Sequence, residues 1–396
     1  MDKGLLCAAL QKTLDAGVQR VTPPPGDFSW TVANMISHPL GGEHYRRTIA
    51  PLIAALESQA EIAEIVGTLQ NQGTSAGLAS IEQLAGWMIG TAMSFGAEHS
   101  VDMVIDYIGK RTTPIIFVVA LSGVFPNGSV RLSEAIELMP FELLPDGYNK
   151  RTLGAPTMSR SESPTAALVL HAEAYPAFLG LRNNAYGPQE IRPDPKVLYD
   201  ILPVLVLLGP SSPAGIMQWS QAESHVPLCT SVSGSAGHFI EIQSLGVFNG
   251  GSITDGPEVR DLVRQYLSMS ERHRSEISIG LKRLALSHRR TEAVDRAIEL
   301  GLALECLLVP VRSEQVTKKF ISRGADYLGG TTATRNRKIL DEIYEIRSQA
   351  VHSGAFEPGA ASKLGGPDQV IAEGQQIATQ LLRKMIVEGG RPQWPD

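Results

Sequence analysis

One arginine and one histidine near the end of the chain have the types and spacing for phosphate chemistry. Arg347 and His352 lie five residues apart in a segment with the apolar pattern of a helix. A guanidinium is always charged, so it can hold a phosphate and stabilise the charge that develops there. An imidazole exchanges protons near neutral pH. Together the two groups suit cleavage of the phosphodiester backbone of RNA.

The helix that would carry both residues is predicted from its apolar stripe. Four apolar residues recur at steps of four, three and four and fall on one face: Ile339, Ile343, Ile346 and Ala350. Gly354 follows as a natural helix stop. Five residues turn an α-helix by about 140°, so Arg347 and His352 would flank the stripe instead of stacking. We expect both to reach one phosphate if the last turn loosens.

The stretch 344–354 reads YEIRSQAVHSG, with Arg347 and His352 at the spacing Arg-x4-His. It resembles the Y-x-x-R-S-x-x-V-H-x-G ending of Apea-like HEPN domains, and the pair fits the Arg-x4-6-His motif of the HEPN superfamily. Upstream, residues 303–305 (ALE) and 323–325 (RGA) follow the order of that family. The likeness covers residues 274–387, or roughly a third of the chain.

The resemblance implies a helical bundle that dimerises, so that Arg347 and His352 of two chains line one cleft. It also implies RNA cleavage without a metal, in which the ribose 2′-hydroxyl attacks the adjacent phosphate. His352 would then be the general acid or base, and Arg347 would hold the phosphate. The products would carry cyclic phosphate ends.

Ser348 departs from the family pattern, because many nuclease members have Asn, Asp or His directly after the arginine. A serine can still hydrogen-bond a phosphate oxygen or orient His352. We expect it to support the site while weakening catalysis.

Two further residues are expected to support the site. Glu305 occurs in an apolar helix, where a lone carboxylate is costly unless it is paired, so it could lie beside Arg347 or Arg323. An exposed helix face is the alternative for Glu305. Tyr344 is predicted to be a core residue with its hydroxyl at the edge.

The composition indicates a folded protein, with 43% hydrophobic and 19% charged residues among 396. Three widely spaced cysteines show no zinc-binding spacing, so we expect reduced thiols, and no Walker A or GxGxxG motif opens a helix. We therefore predict no metal and no cofactor. The longest apolar runs are too short to span a membrane, and no secretion signal follows Met1, so a cytoplasmic location is predicted.

The charge distribution is compatible with RNA as a partner. Residues 260–352 contain 17 Lys and Arg against 12 Asp and Glu, whereas the whole chain has a formal net charge of −6. A basic segment on an acidic chain suits a phosphate-bearing partner. Solvated helix faces explain the same balance.

The chain is predicted to be an α+β multidomain protein. Residues 1–110 read as a helical N-terminal region, and residues 111–252 as a β-rich domain of unknown role. Strands are expected at 115–119, 130–142, 167–172 and 204–208, with a hairpin-like turn at Asn127-Gly128. Residues 253–396 are predicted to form an all-α HEPN bundle, with helices at 257–269, 274–287, 292–308, 314–327, 336–352 and 367–387.

Two functions follow as hypotheses. The first is a metal-independent endoribonuclease that cuts RNA, with tRNA as one candidate, as a homodimer. Resemblance alone suggests a regulated toxin or effector in bacterial anti-phage defence. The alternative is a non-catalytic HEPN module that binds nucleic acid or dimerises, in which Arg347 and His352 brace the end of the helix.

Overall fold

The fold is described from a computed structural model of the chain. It describes residues 1–20, 36–37, 41–73, 76–110, 112–145, 147–154, 163–180, 190–209, 211–223, 225–228, 238–239, 252–309 and 314–394. Cys229 and the predicted boundary near residue 250 lie outside these residues.

The N-terminal region is mainly helical, as predicted. Its elements are α1 (Lys3–Asp15), β1 (Gln19–Arg20), β2 (Ile36–Ser37), α2 (Gly42–Glu57), α3 (Ala60–Ile65), β3 (Leu69–Asn71), β4 (Ala76–Leu78), α4 (Ile81–Phe95) and α5 (Ala97–Gly109). Apolar residues of α1, α2, α4 and α5 form one core. Leu52 and Leu56, four residues apart on α2, are fully buried there.

Two short strands interrupt the helices of this region, which the sequence indicated to be helical. β3 and β4 pair antiparallel. In β3, Gln70 donates its side-chain amide to the hydroxyl of Tyr107 and to the carbonyl of Pro227. Strand β3 therefore connects the N-terminal helices to the middle of the chain.

The middle of the chain forms a sheet. Its elements are β5 (Thr113–Ser122), β6 (Phe125–Pro126), β7 (Val130–Arg131), β8 (Ile136–Pro140), α6 (Tyr148–Gly154), β9 (Ala166–Tyr175), β10 (Phe178–Leu179), β11 (Glu190–Arg192), α7 (Lys196–Ile201), β12 (Ala214–Ala222), β13 (His238–Phe239) and β14 (Ser252–Ile253). The main sheet has the antiparallel order β13-β12-β5-β9-β8-β7, and β11 also pairs with β9. Strand β10 pairs with β3 instead.

Three expectations about the strands need correction. The strand expected at 204–208 is instead part of a 3-10 helix, residues 202–207, with Pro203 in its first turn. The sequence could not show this, because an apolar run that is buried on every side does not reveal its period. Residues 130–142 hold β7 and β8 instead of one strand. Gly128 does turn, with φ +81°, but β6 pairs with β14 and not in a hairpin with β7.

The C-terminal region is helical throughout its described residues. Its helices are α8 (Pro257–Ser268), α9 (Glu271–Arg289), α10 (Ala293–Leu308), α11 (Val316–Leu328), α12 (Ala333–Ser353) and α13 (Pro367–Val387). All six predicted helices are confirmed within a few residues at each end. Helices α9, α11, α12 and α13 each contact α10.

The β-sheet and the C-terminal helices share one hydrophobic core. The same cluster contains Phe117 of β5, Leu170 of β9, and Leu281 of α9. Polar contacts reinforce it, since Arg383 of α13 donates two hydrogen bonds to the carbonyl of Leu207. Mixed α and β structure is therefore established. In the described parts of the chain, no helix combines the length and apolar character needed to cross a membrane.

Candidate functional site

The end of α12 is held in regular helical form. The amide of Gly354 donates to the carbonyl of Ala350, and Gly354 has φ +68°, a left-handed conformation that suits glycine at a helix end. The hydroxyl of Ser353 donates to the carbonyl of Gln349, whose side-chain oxygen accepts from the amide of Glu357. The last turn is therefore regular, and the loosening that would let Arg347 and His352 reach one phosphate is absent from it.

Arg347 is tied to the neighbouring helix α10. Its Nη2 atom donates to Oε2 of Glu305 at 2.7 Å. The side chains are 22% and 31% exposed, so the pair lies at the boundary between core and solvent. Glu305 thus lies beside Arg347, one of the two partners considered from the sequence. Arg323, the other, is buried and donates to the carbonyl of Leu308.

The guanidinium of Arg347 keeps unused hydrogen-bonding capacity. Arginine has five N–H groups, and Glu305 accepts from one of them. The Nε atom is buried without a partner. The other N–H groups belong to the two terminal nitrogens and have no partner among the described residues. They are the groups that could hold an anion.

Gly301 lies one helical turn before Glu305 on α10 and was not singled out from the sequence. A Cβ atom at Gly301 would collide with Cγ of Arg347 and would lie 3.0 Å from its Cβ and 3.3 Å from its Cδ. The stem of Arg347 therefore crosses α10 directly over Gly301. A glycine one turn before a carboxylate in a helix is the only sequence signal for this contact, and it is weak.

His352 is exposed on the last turn of α12, and its imidazole has no hydrogen-bond partner among the described residues. Around the helix, Val351 lies about 40° from Arg347, Ser348 about 100° and His352 about 140°. His352 is also about 7.5 Å farther along the axis. One chain therefore does not bring Arg347 and His352 onto one phosphate.

Ser348 and Tyr344 lie in the arc between Arg347 and His352. Ser348 is half-buried, and Val351 beside it is 51% exposed. The ring of Tyr344 packs edge-on against Phe320 of α11, with 5.5 Å between ring centres. Tyr344 thus joins α11 to α12 directly below the exposed end of α12.

Residues 391–394, called the C-terminal strap below, contact the last turn of α10. Arg391 and Trp394 both donate to the carbonyl of Leu307, in the last turn of α10. The guanidinium of Arg323 lies over the Trp394 ring, 5.5 Å from its centre. Burial raises the pKa of the neighbouring Cys306 thiol to about 11. Cys306 is therefore a neutral thiol at physiological pH.

A second group of titratable residues lies on the sheet, far from α12 in sequence. Nδ1 of His171 lies 3.1 Å from Glu223, and Nε2 lies 3.7 Å from Glu137. The hydrogen bond to Glu223 raises the pKa of His171 and lowers that of Glu223. His225 contacts the other oxygen of Glu223 at 3.2 Å. Within the residues that the structure describes, no three His, Cys, Asp or Glu side chains are arranged to hold a metal ion.

Comparisons with protein-family models, with curated proteins and with solved structures gave no match to this chain. The residues at the end of α12 are therefore the basis from which function is inferred.

Proposed function

We propose that this chain is an endoribonuclease of the HEPN type that cleaves RNA without a metal, with Arg347 and His352 as its catalytic residues. The observation that supports the proposal is the hydrogen bonding of the Arg347 guanidinium. Its charge is anchored by Glu305, while N–H groups on both terminal nitrogens stay unpaired among the described residues. An anchored arginine with unused donors is suited to hold a phosphate.

The reaction needs only groups that this chain and RNA supply. The 2′-hydroxyl oxygen bonds to the adjacent phosphorus, and the bond from phosphorus to the 5′-oxygen of the next nucleotide breaks. The proton that leaves the 2′-hydroxyl is balanced by one delivered to the 5′-oxygen. His352 serves as the acid or base for these transfers, and Arg347 stabilises the phosphate charge. The products are a cyclic phosphate and a 5′-hydroxyl end.

The proposal includes a homodimer. His352 and Arg347 of one chain lie on different sides of α12 and about 7.5 Å apart along its axis. A second copy that presents its own α12 end would place groups of two chains around one phosphate. Ser348 and Glu305 would support that cleft, and Tyr344 would hold α11 beneath it.

The cellular role is proposed from the resemblance to HEPN proteins. A regulated toxin or effector of bacterial anti-phage defence would act on RNA in the cytoplasm, with tRNA as one candidate substrate. The N-terminal helices and the sheet would then restrain the nuclease or sense a trigger.

A non-catalytic module that binds nucleic acid or dimerises is the second candidate. The ion pair between Arg347 and Glu305 favours it, because this pair braces α10 against α12 without any substrate. In that case His352 would be an exposed residue without a chemical role.

Cleavage of labelled tRNA and of unstructured RNA in EDTA separates the two functions. The nuclease proposal expects cleavage by the wild-type protein, cyclic phosphate ends, and loss of cleavage in Arg347→Ala and His352→Ala. Arg337→Ala is a matched control, because Arg337 also lies on α12 and pairs with an acidic residue of the preceding helix α11, Asp326. RNA that is bound but left intact by the wild type would favour the module instead.

A further inference from the structure

Helix α10 carries two features that act on the same side chain of α12. Gly301 and Glu305 are four residues apart, so they lie on one face of α10, one turn above the other. The stem of Arg347 lies over Gly301, and its guanidinium reaches Glu305. The two residues together are called the α10 seat below.

Among the glycines at helix crossings in this region, Gly301 is the one that packs against the aliphatic stem of an arginine. Three other helical glycines also occur at helix crossings, but added Cβ atoms there would meet apolar side chains: Gly280 against Leu307, Gly324 against Leu340 and Leu308, and Gly374 against Ile343 and Leu300. At Gly301 the nearest three atoms all belong to Arg347. A glycine within a helix is unfavourable relative to alanine, so the position calls for a compensating role.

The seat leaves the guanidinium little freedom. A stem laid against backbone cannot swing toward α10, and the ion pair with Glu305 fixes the far end. The same path buries Nε without a partner. The guanidinium is therefore held between Gly301 and Glu305, in a side chain that is 22% exposed.

We propose that Gly301 is a positioning residue for Arg347, and that with Glu305 it sets where the guanidinium lies. Its use in catalysis rests on the proposed function. Any side chain larger than hydrogen at position 301 would displace the stem and move the terminal N–H groups from where the phosphate must lie. A shift of about 1 Å at such a group can lower a rate by about 100-fold.

The first test does not depend on cleavage. In full-length protein labelled with ¹⁵N-arginine, the Nε–H signal of Arg347 is identified by its loss in Arg347→Ala. We expect this signal to exchange slowly with water, because Nε is buried. Gly301→Ala should move it or expose it to exchange, whereas Gly280→Ala, whose added Cβ would meet the side chain of Leu307 at the crossing of α9 and α10, should leave it in place. An unmoved signal in Gly301→Ala overturns the proposal.

A double-mutant comparison guards against variants that fold poorly. Gly301→Ala should lower the thermal unfolding midpoint, and that loss should shrink to less than half in an Arg347→Ala background, because the colliding Cγ and Cδ atoms are absent. The loss caused by Gly280→Ala should be equal in both backgrounds, because its added Cβ would meet Leu307 and not Arg347. Equal losses for Gly301→Ala in the two backgrounds would contradict the seat.

The cleavage assay then separates the seat from the proposed function. If the wild type cleaves RNA, Gly301→Ala should lower kcat by at least tenfold with a smaller change in KM, while Gly280→Ala stays near wild type. An unchanged kcat in Gly301→Ala would overturn the positioning role. If the wild type cleaves nothing but the arginine signal moves as expected, the seat stands and the nuclease proposal fails.

Discussion

Arg347 and His352 have different surroundings, and this difference determines what each substitution should do to the fold. His352 is exposed, so His352→Ala should change the free energy of unfolding by less than about 0.5 kcal/mol. Arg347→Ala removes the partner of a carboxylate that is only 31% exposed. Because that boundary position is screened by solvent, its cost should be about 1 kcal/mol.

Urea unfolding followed by circular dichroism measures both free energies. Cleavage should behave differently, since loss of a general acid or base lowers rates by about 100-fold to 10,000-fold. His352→Ala would then be inactive and stable. A large destabilisation by His352→Ala would instead indicate that the histidine braces the helix end.

The ion pairs of His171 on the sheet predict that the free energy of unfolding depends on pH. The pKa of His171 is raised from its ordinary value of 6.5 by Glu223 and Glu137, so its stabilisation is complete below pH 6.5 and is lost as the pH rises through the raised value. The pKa of Glu223 is lowered from 4.5 by His171 and His225, so its stabilisation is complete above pH 4.5 and is lost as the pH falls. The cluster therefore stabilises the fold most between pH 4.5 and pH 6.5.

Thermal unfolding of His171→Ala across pH checks this window. The substitution should lower the midpoint more at pH 5.5 than at pH 9. His99→Ala is a suitable control, because His99 contacts the ring of Phe95 and lies in the N-terminal helices. A loss for His171→Ala that is the same at both pH values would argue against ionic pairing on the sheet.

At the scale of the elements, the C-terminal strap is expected to stabilise the last turn of α10. The carbonyls in the last turn of a helix lack partners within the helix. Arg391 and Trp394 supply donors to the carbonyl of Leu307. Trp394→Ala removes one donor and the contact with the ring of Tyr327, and it should cost about 1 to 3 kcal/mol in the free energy of unfolding.

Chemical unfolding of Trp394→Ala beside Gln393→Ala tests the strap. Gln393 is exposed in the same segment, so its substitution should have little effect. Equal stability of the two variants would mean that the strap adds nothing to α10.

The elements also show what the sequence could predict. Helices α8 to α13 were predictable because each repeats apolar residues at helical spacing along a single face. The 3-10 helix at 202–207 was not, since burial on all sides removes that pattern. Arg347 and His352 were visible as a local motif. The pairing of Glu305 with Arg347 was one of two alternatives that the sequence left open. The contact with Gly301 was not visible, because it depends on how two helices cross.

At the scale of the whole molecule, the shared core predicts cooperative unfolding of the sheet with the C-terminal helices. Apolar residues of β5 and β9 belong to the same cluster as those of α9 and α13. Arg289 of α9 donates to Ser212 and to the carbonyl of Pro213 in the middle of the chain. A fragment of residues 253–396 would expose the apolar surface that the sheet covers.

We therefore expect the fragment of residues 253–396 to be markedly less stable than the full chain and to bind an apolar dye. Calorimetry of the full chain should show the sheet and these helices unfolding together. An isolated fragment that melts at the temperature of the full chain would mean that the predicted boundary at 252 divides independent domains.

The crossing of Arg347 over Gly301 imposes a residue pattern that can be searched for in other protein sequences. The contact requires a glycine four residues before an acidic residue in one helix, and an arginine on a later helix, here 42 residues after the acid. Chains that retain this spacing while the rest of their sequence has diverged would be recognisable as distant relatives. In such relatives, a larger residue at the glycine position should be accompanied by loss of the arginine.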